Sequence, residues 1–386
     1  MSEKFICPLC GNSDEKYVGY LNGKPYCRLC ITFKGKEADY TPSRMGKTEA
    51  FLNYSLSEDQ QRLSDQLLEN YKNGYNSFVS AVCGSGKTEI VIQVIKYVIS
   101  VGYKCGFAVP RKDVASELHE RFKNIFKNRT VTLVCGGHSE NLYGDLVILT
   151  THQLYRYSHY FDLLVLDEVD AFPFKGSLIL YKFFENSLKS NFIMMSATPD
   201  STFLANFGNR GGKILELNSR FHKYPLPVPQ IIVRPTLLCG FELIKHVNKM
   251  LKVGKQVFIF TPTISMCEET ATFLGFFFMN KGTFVHSKRE DRPKVISDFR
   301  KKKYSYLVTT AVLERGVTVK DLQVIVYHAE HKIYDQYSLV QIAGRVGRKA
   351  DCPTGEVIYI ASRVTSEMEK SISNIEKANK DLQSML

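Results

Sequence analysis

The sequence predicts an α/β chain made of two parallel-sheet lobes in tandem behind a small four-cysteine module. Three observations carry this expectation. Short apolar runs with the character of buried strands alternate with helical patterns over 77–198 and again over 256–343. Pro225, Pro227, Pro229 and Pro235 crowd one stretch between them, where a joint is expected. Two CxxC pairs, Cys7/Cys10 and Cys27/Cys30, head the chain. The boundaries read 1–40 for the cysteine module, 41–218 for the first lobe, 219–235 for the proline-rich linker, and 236–386 for the second lobe with its C-terminal helix.

The 386 residues accommodate two or three domains, and 44% hydrophobic with 23% charged residues is the make-up of a folded, water-soluble chain. A net charge of +12 favours a polyanionic partner, with a solubilising basic surface as the plainer alternative. No stretch reaches the roughly 18 consecutive apolar residues of a membrane span, and Phe273-Leu274-Gly275-Phe276-Phe277-Phe278 reads as core. The N-terminus lacks the layout of a signal peptide, so a cytoplasmic location is the default expectation.

The four N-terminal cysteines, with 16 residues between the pairs, can surround one tetrahedral ion. Gly11-Asn12 and Asn22-Gly23 suit hairpin turns. A segment of this size cannot easily bury enough surface to fold alone, so a bound metal would supply much of its stability. Zinc is the expected ion. Iron fits the same cage, whereas a redox dithiol leaves the second pair unexplained. Cys83, Cys105, Cys135, Cys239, Cys267 and Cys352 are scattered, mostly in apolar runs, and read as reduced core residues.

In the first lobe, 77–82 is a strand, 89–97 a helix, and Gly84-Ser85-Gly86-Lys87-Thr88 the loop between them. Such a loop cradles phosphates with backbone N–H groups, sends its lysine to the β and γ phosphates, and places Thr88 on Mg²⁺. Gly46-Lys47-Thr48 looks similar but follows a polar stretch rather than a strand, so it reads as linker. Strand 161–166 ends in Asp167-Glu168. Asp167 there suits Mg²⁺, largely through water, and Glu168 the activation of an attacking water; two surface acids are the alternative. Strand 191–195 leads into Ser196-Ala197-Thr198, whose hydroxyls Ser196 and Thr198 can couple nucleotide state to a bound strand. Strand 104–110, helix 113–126 and strand 146–150 put Arg111, Thr150 and Thr151 at strand ends, as candidate contacts to a nucleic-acid backbone.

The second lobe has strands at 256–260, 283–286 and 306–310 and helices at 266–274 and 293–299, with no phosphate loop of its own. Helix 334–343 runs into Gly344-Arg345-Val346-Gly347-Arg348. A guanidinium fork matches a phosphoryl group, so Arg345 and Arg348 are the expected γ-phosphate contacts, Arg348 as arginine finger; a basic turn bound to nothing is the alternative. Thr309 and Thr310 are candidate strand contacts, Gln341 a coupling residue, and Glu314-Arg315-Gly316 can link the arginines to the strand, with Gly316 on the nucleotide side. Residues 367–386 form an amphipathic helix, expected to pack on its own domain or else to meet a partner.

With these residues in place, the chain resembles superfamily 2 helicases, and among them most closely the ComFA family of late-competence DNA translocases. The resemblance covers nearly the whole chain. Its specific part is the cysteine module joined to Asp167-Glu168-Val169-Asp170 and to the run Thr309-Thr310-Ala311-Val312-Leu313-Glu314-Arg315-Gly316-Val317-Thr318. In Leu56-Ser57-Glu58-Asp59-Gln60 it places an adenine-contacting glutamine at Gln60. It implies two RecA-like lobes and hydrolysis of ATP with Mg²⁺, stimulated by single-stranded DNA. It further implies a role in drawing transforming DNA into the cell, at the inner face of a membrane uptake channel, with a phosphoribosyltransferase-like partner. Val169 and Thr318 depart from the DEAD-box pattern, which weakens an RNA-helicase reading and leaves the ribose contact unassigned. A replication-restart-type DNA helicase, an RNA helicase, and a zinc-dependent nucleic-acid-binding scaffold stay open as alternatives.

Overall fold

A parallel sheet covered on both faces needs strands that are apolar along their length, and the central strands of both lobes are of that kind. The computed structural model describes all residues except 1–4, 83, 171, 172, 175, 198–200, 218–222, 280, 315, 316, 350, 385 and 386. The chain divides into two units, Met1–Ala81 with Gly86–Leu217, and Val82–Ser85 with Asn218–Leu386.

The first unit opens with an antiparallel hairpin, β1 (Val18–Leu21) and β2 (Lys24–Cys27). Its turn is Asn22-Gly23, both at positive φ (50° and 75°), the conformation that matches strand twist and that this dipeptide adopts most readily. Next comes α1 (Glu58–Lys72), started by a reciprocal cap in which Ser57 Oγ accepts from Gln60 N and Gln60 Oε1 accepts from Ser57 N. Then follow β3 (Ser77–Ala81), α2 (Lys87–Ile90), α3 (Ile92–Ser100), β4 (Cys105–Val109), α4 (Lys112–Ile125), β5 (Val131–Val134) and β6 (Leu146–Thr150). A 3-10 segment, Thr151–Arg156, precedes β7 (Phe161–Asp167), α5 (Leu178–Ser187), β8 (Leu188–Ser196), α6 (Ser201–Asn209) and β9 (Lys213–Leu217). The expected single helix 89–97 is divided at Val91, in a β-branched run with little preference for helix.

Among the described residues β3 to β9 form one parallel sheet in the order β5-β6-β4-β7-β8-β3-β9. One face packs on α1, α3 and α4. The other packs on α5, α6 and the four N-terminal cysteines. Residues 33–40, which have no regular secondary structure, strap the cysteine module to this lobe. Ala38 N donates to Arg156 O (2.8 Å), Tyr155 Oη to Lys34 O (2.9 Å), and Arg156 Nη1 to Lys36 O (2.7 Å). At the end of the strap Tyr40 Oη donates to the buried Asp162 carboxylate (3.0 Å), which also pairs with Lys189 (3.2 Å) and accepts from Lys104 N (2.8 Å). The Gly46-Lys47-Thr48 stretch runs beside the end of α3, with Gly46 N donating to Ser100 O, and has the linker character expected of it.

The second unit contains β10 (Gln230–Val233), α7 (Thr236–Lys252), β11 (Gln256–Phe260), α8 (Ile264–Phe277), β12 (Gly282–Val285), α9 (Arg292–Arg300), β13 (Tyr306–Thr309), β14 (Leu322–Tyr327), α10 (Gln336–Ala343), β15 (Val357–Ala361) and α11 (Ser366–Ser384). Its sheet is parallel throughout, in the order β10-β15-β14-β11-β13-β12 among the described residues. The C-terminal helix α11 packs Met368 and Ile375 into the core of its own lobe. Both sheets belong to the RecA-like class. Among the described residues no helix is long and apolar enough to cross a membrane.

Candidate functional site

Register brings the first lobe's expected residues to one edge of its sheet. Ser80 of β3 lies opposite Ser196 of β8, Asp167 of β7 opposite Met195, and Val109 of β4 opposite Thr150 of β6. The phosphate loop, Asp167-Glu168, Ser196, Arg111 and Thr150 therefore all leave the sheet at its C-terminal edge, where open α/β sheets bind ligands.

The loop between β3 and α2 has Gly84 and Gly86 at φ +82° and +85°. Gly86 is the residue before Lys87, the first of α2, and a Cβ there would collide with Gln60 Nε2. A side chain at this position is strained by the backbone conformation, and its Cβ would also require the Gln60 amide to shift. Gln60 is buried, with Oε1 committed to the α1 cap and its amide nitrogen beside the loop. Ser85 is buried, and Lys87 and Thr88 open α2.

Asp167 closes β7, and its Oδ1 accepts from Glu168 N (2.8 Å). Glu168 adopts φ +58°, a left-handed conformation that costs a non-glycine residue on the order of 1 kcal/mol, and Val169 N is held by Met195 O (3.3 Å). The chain thus turns sharply at the strand end. Burial pushes the Asp167 carboxyl up to about 6, Glu168 and Asp170 push the same way, and the charge of Lys87 pulls it back. A half-buried carboxyl crowded by two acids and a lysine is a donor set suited to a divalent cation.

Ser196, Thr150 and Thr151 are buried, and Arg111 stands immediately before α4. Thr198 lies outside the described residues, as do Cys83 and Gly316. In the second lobe Thr309 ends β13 and is buried, its Oγ1 donating to Thr310 O (3.1 Å), while Thr261 N and Oγ1 both donate to Thr309 O. Gln341 is buried on α10. Arg345 is only 2% exposed, with Nε on Glu314 O and Nη1 on Val317 O, both 2.7 Å. This guanidinium ties the end of α10 to the carbonyls of Glu314 and Val317. Arg348 Nε donates to Gly344 O (3.0 Å), across a turn that Gly347 makes at φ +68°.

The cysteine sulfurs of residues 7, 10, 27 and 30 lie within 4.8 Å of one another, with 3.7 Å between Cys10 and Cys27 and 3.9 Å between Cys7 and Cys30. A tetrahedral ion with Zn–S bonds of about 2.3 Å requires sulfur–sulfur edges of about 3.8 Å, so the four thiols fit zinc. Burial pushes the Cys10 thiol up to about 11, which the charge of a bound cation would oppose. Of the other cysteines, Cys105, Cys135, Cys239 and Cys267 are buried and unpaired by disulfides, and Cys352 is half-buried.

Two features escape the sequence reading. Glu89, in the first turn after the loop, pairs with Arg121 of α4, and both meet Tyr54 Oη. The strap 33–40 is the other: Arg156, its main side-chain anchor, stands in the segment that Thr150 and Thr151 begin.

Comparison with known proteins bears on the family and the fold. Residues 53–201 match the family model described as type III restriction enzyme, res subunit, and residues 242–350 match the helicase conserved C-terminal domain. The competence protein ComFA of Streptococcus pneumoniae is 34% identical over 98% of this chain and 91% of its own length. The ComFA of Bacillus subtilis is 31% identical over 97% and 86%. Among solved structures, S. cerevisiae Dbp5 bound to RNA and ADP BeF3 superposes with a TM-score of 0.68 at 18% identity, covering 85% of this chain and 88% of that one. RecG bound to a three-way DNA junction gives 0.59 at 20% identity, covering 86% and 47%. At these identities the two structures speak for the fold alone.

Proposed function

The chain belongs to the ComFA family within the superfamily 2 helicases, and from that premise we propose that it is an ATP-dependent single-stranded-DNA translocase that drives uptake of transforming DNA. The observation that carries this reading is the shared sheet edge of the Lys87 loop, Asp167-Glu168 and the Thr150 segment. In this reading nucleotide chemistry and strand contact share the C-terminal edge of one parallel sheet, at the ends of β3, β7 and β6.

In this reading the loop N–H groups and Lys87 hold the ATP phosphates, with Gln60 on the adenine. Thr88 and Asp167 would hold Mg²⁺, which when bound supplies neutralisation of the β and γ phosphate oxygens. Glu168 accepts the proton of the attacking water. Arg345 and Arg348 stabilise charge on the transferred phosphoryl group, with Arg348 as finger and Arg345 braced by its two carbonyls; Gly316 lies on the nucleotide side. Arg111, Thr150, Thr151, Thr309 and Thr310 contact the strand, and Ser196, Thr198 and Gln341 relay nucleotide state to it. Neither lobe alone carries the full residue set, so turnover needs both. Zinc on Cys7, Cys10, Cys27 and Cys30 would hold the N-terminal module in shape. The wider assembly includes a membrane uptake channel and a phosphoribosyltransferase-like protein, with the chain peripheral at the membrane's inner face.

Single-stranded DNA, RNA and duplex DNA compared as activators of ATP hydrolysis at one stated salt concentration test the reading. Single-stranded DNA is expected to stimulate most, and Lys87→Ala to abolish the response. Equal stimulation by RNA would favour an RNA helicase, stronger stimulation by duplex a duplex-unwinding enzyme, and strand binding without hydrolysis a scaffold.

A further inference from the structure

We infer that Tyr54, Glu89 and Arg121 form a positioning cluster that sets how strictly the nucleotide site selects its base. This role rests on the reading of Gln60 as the adenine contact beside the Lys87 loop. Glu89 stands in the first turn of α2, two residues after Lys87, and its side chain is only 15% exposed. Its Oε1 accepts from Tyr54 Oη (3.0 Å) and from Arg121 Nη2. Arg121 Nη2 also donates to Tyr54 Oη (2.8 Å), closing a cycle of three hydrogen bonds. A tyrosine hydroxyl has one proton to give and lone pairs to accept with. Here both roles are used, toward a carboxylate and from a guanidinium.

The cluster joins three parts of the first lobe that carry different pieces of the site. Arg121 is on α4, whose Leu118, Phe122 and Ile125 are buried in the core, so its guanidinium is offered from a fixed helix. Glu89 belongs to the helix that the phosphate loop enters. Its Oε2 borders, together with the Gln60 amide nitrogen, the space a Cβ on Gly86 would need. Tyr54 lies in the irregular stretch before α1, three residues ahead of Ser57, whose reciprocal cap with Gln60 starts that helix. The same stretch is fixed further back by Phe51 N, which donates to Ile125 O (3.0 Å). Between these two points the Tyr54 hydroxyl holds the chain, and so the start of α1, against α2. Burial and the charge of Glu89 push that hydroxyl up, so it keeps its proton at neutral pH. Burial opposes the charge on Arg121, but Glu89 outweighs it and holds the guanidinium above its ordinary range. The strand and helix that carry the phosphate loop are anchored separately, through Val79, Ala81 and Ile90 in the core. Loosening the cluster therefore blurs recognition of the base and leaves phosphate chemistry in place, because an amide discriminates only while its hydrogen-bond geometry is held.

The test measures hydrolysis of ATP and of UTP, stimulated by single-stranded DNA, with the full-length, zinc-loaded protein. The wild type should show a KM for UTP about 10-fold or more above that for ATP, as expected when a base cannot pair with a placed amide. Tyr54→Phe keeps the ring and removes only the hydroxyl. It should raise the KM for ATP by about 5–20-fold, with the KM for UTP within about 2-fold of wild type and kcat for ATP unchanged. Arg121→Met should act alike, and the two substitutions together should be no worse than either alone, because each breaks the same cycle. Equal rises for ATP and UTP, additive effects in the double variant, or an unchanged KM for ATP would overturn the cluster's role and leave the motor standing. A wild type with one KM for both nucleotides would overturn Gln60 as the adenine contact, and the cluster's role with it. A wild type that hydrolyses neither would overturn the motor itself.

Discussion

Replacing Arg156 by alanine tests whether the strap truly joins the cysteine module to the first lobe. Arg156 is buried, its Nη1 donates to Lys36 O at 2.7 Å, and its guanidinium lies 4.9 Å from the centre of the Tyr155 ring. A hydrogen bond from a charged donor contributes about 1.5–3 kcal/mol. The guanidinium–ring contact adds about 0.5–1 kcal/mol. Lys36 is exposed, so water can take over its carbonyl, which keeps the loss near the lower half of the sum, about 2–3 kcal/mol. The Ala38 N to Arg156 O bond is made by backbone and survives the substitution. Amide hydrogen exchange should therefore show local opening of residues 33–40 rising by roughly 30–150-fold, with the central strands β4 and β7 unchanged. A rise below about 3-fold would refute the strap as an energetic link, and equal loss of protection across the sheet would show that Arg156 acts on the whole lobe instead.

Three further outcomes follow from the same geometry. Gly86→Ala forces alanine into φ +85° and against the Gln60 amide, at a cost of about 1–2 kcal/mol, so ATP titrations should show roughly 10-fold weaker binding, and unchanged affinity would contradict the packing of Gln60 on the loop. Purified protein should carry about one equivalent of zinc, lost when Cys27 and Cys30 are both changed to Ser; a full complement by metal analysis in that variant would refute the four-thiolate site. Arg348→Ala should lower kcat for ATP by about 10³-fold while ATP still binds, and a kcat within a few-fold of wild type would remove it as the finger.

Much of the nucleotide-binding half was legible in the sequence because its chemistry is local. A phosphate loop needs glycines, lysine and threonine in unbroken succession, and Asp167-Glu168 must directly follow an apolar strand. The C-terminal ends of β6, β7 and β8 accordingly lie within a residue of their expected positions. Backbone geometry was not legible: nothing in the letters marks Glu168 for φ +58°. Nor was the strap, since residues 33–40 have no period and their partners, Tyr155 and Arg156, lie more than a hundred positions away. Three strands of the second sheet, β10, β14 and β15, are not marked by the sequence, because short apolar runs do not distinguish a strand from a buried helical turn, and β10 (Gln230–Val233), which pairs with β15, lies within the 219–235 stretch expected to be linker. The cysteine pairs announced a four-thiol cluster by spacing. That the cluster would lie in the same core as α5 emerges only from the folded chain.

The central claim is that Glu168 activates water for a strand-stimulated ATPase, and the most direct measurement compares ATP hydrolysis by wild type and Glu168→Gln with and without single-stranded DNA. The account predicts that the strand raises the wild-type rate, that Glu168→Gln loses about 10²–10⁴-fold of the stimulated rate, and that this variant still binds ATP. A strand-independent wild-type rate, or a Glu168→Gln rate within a few-fold of wild type, would contradict it.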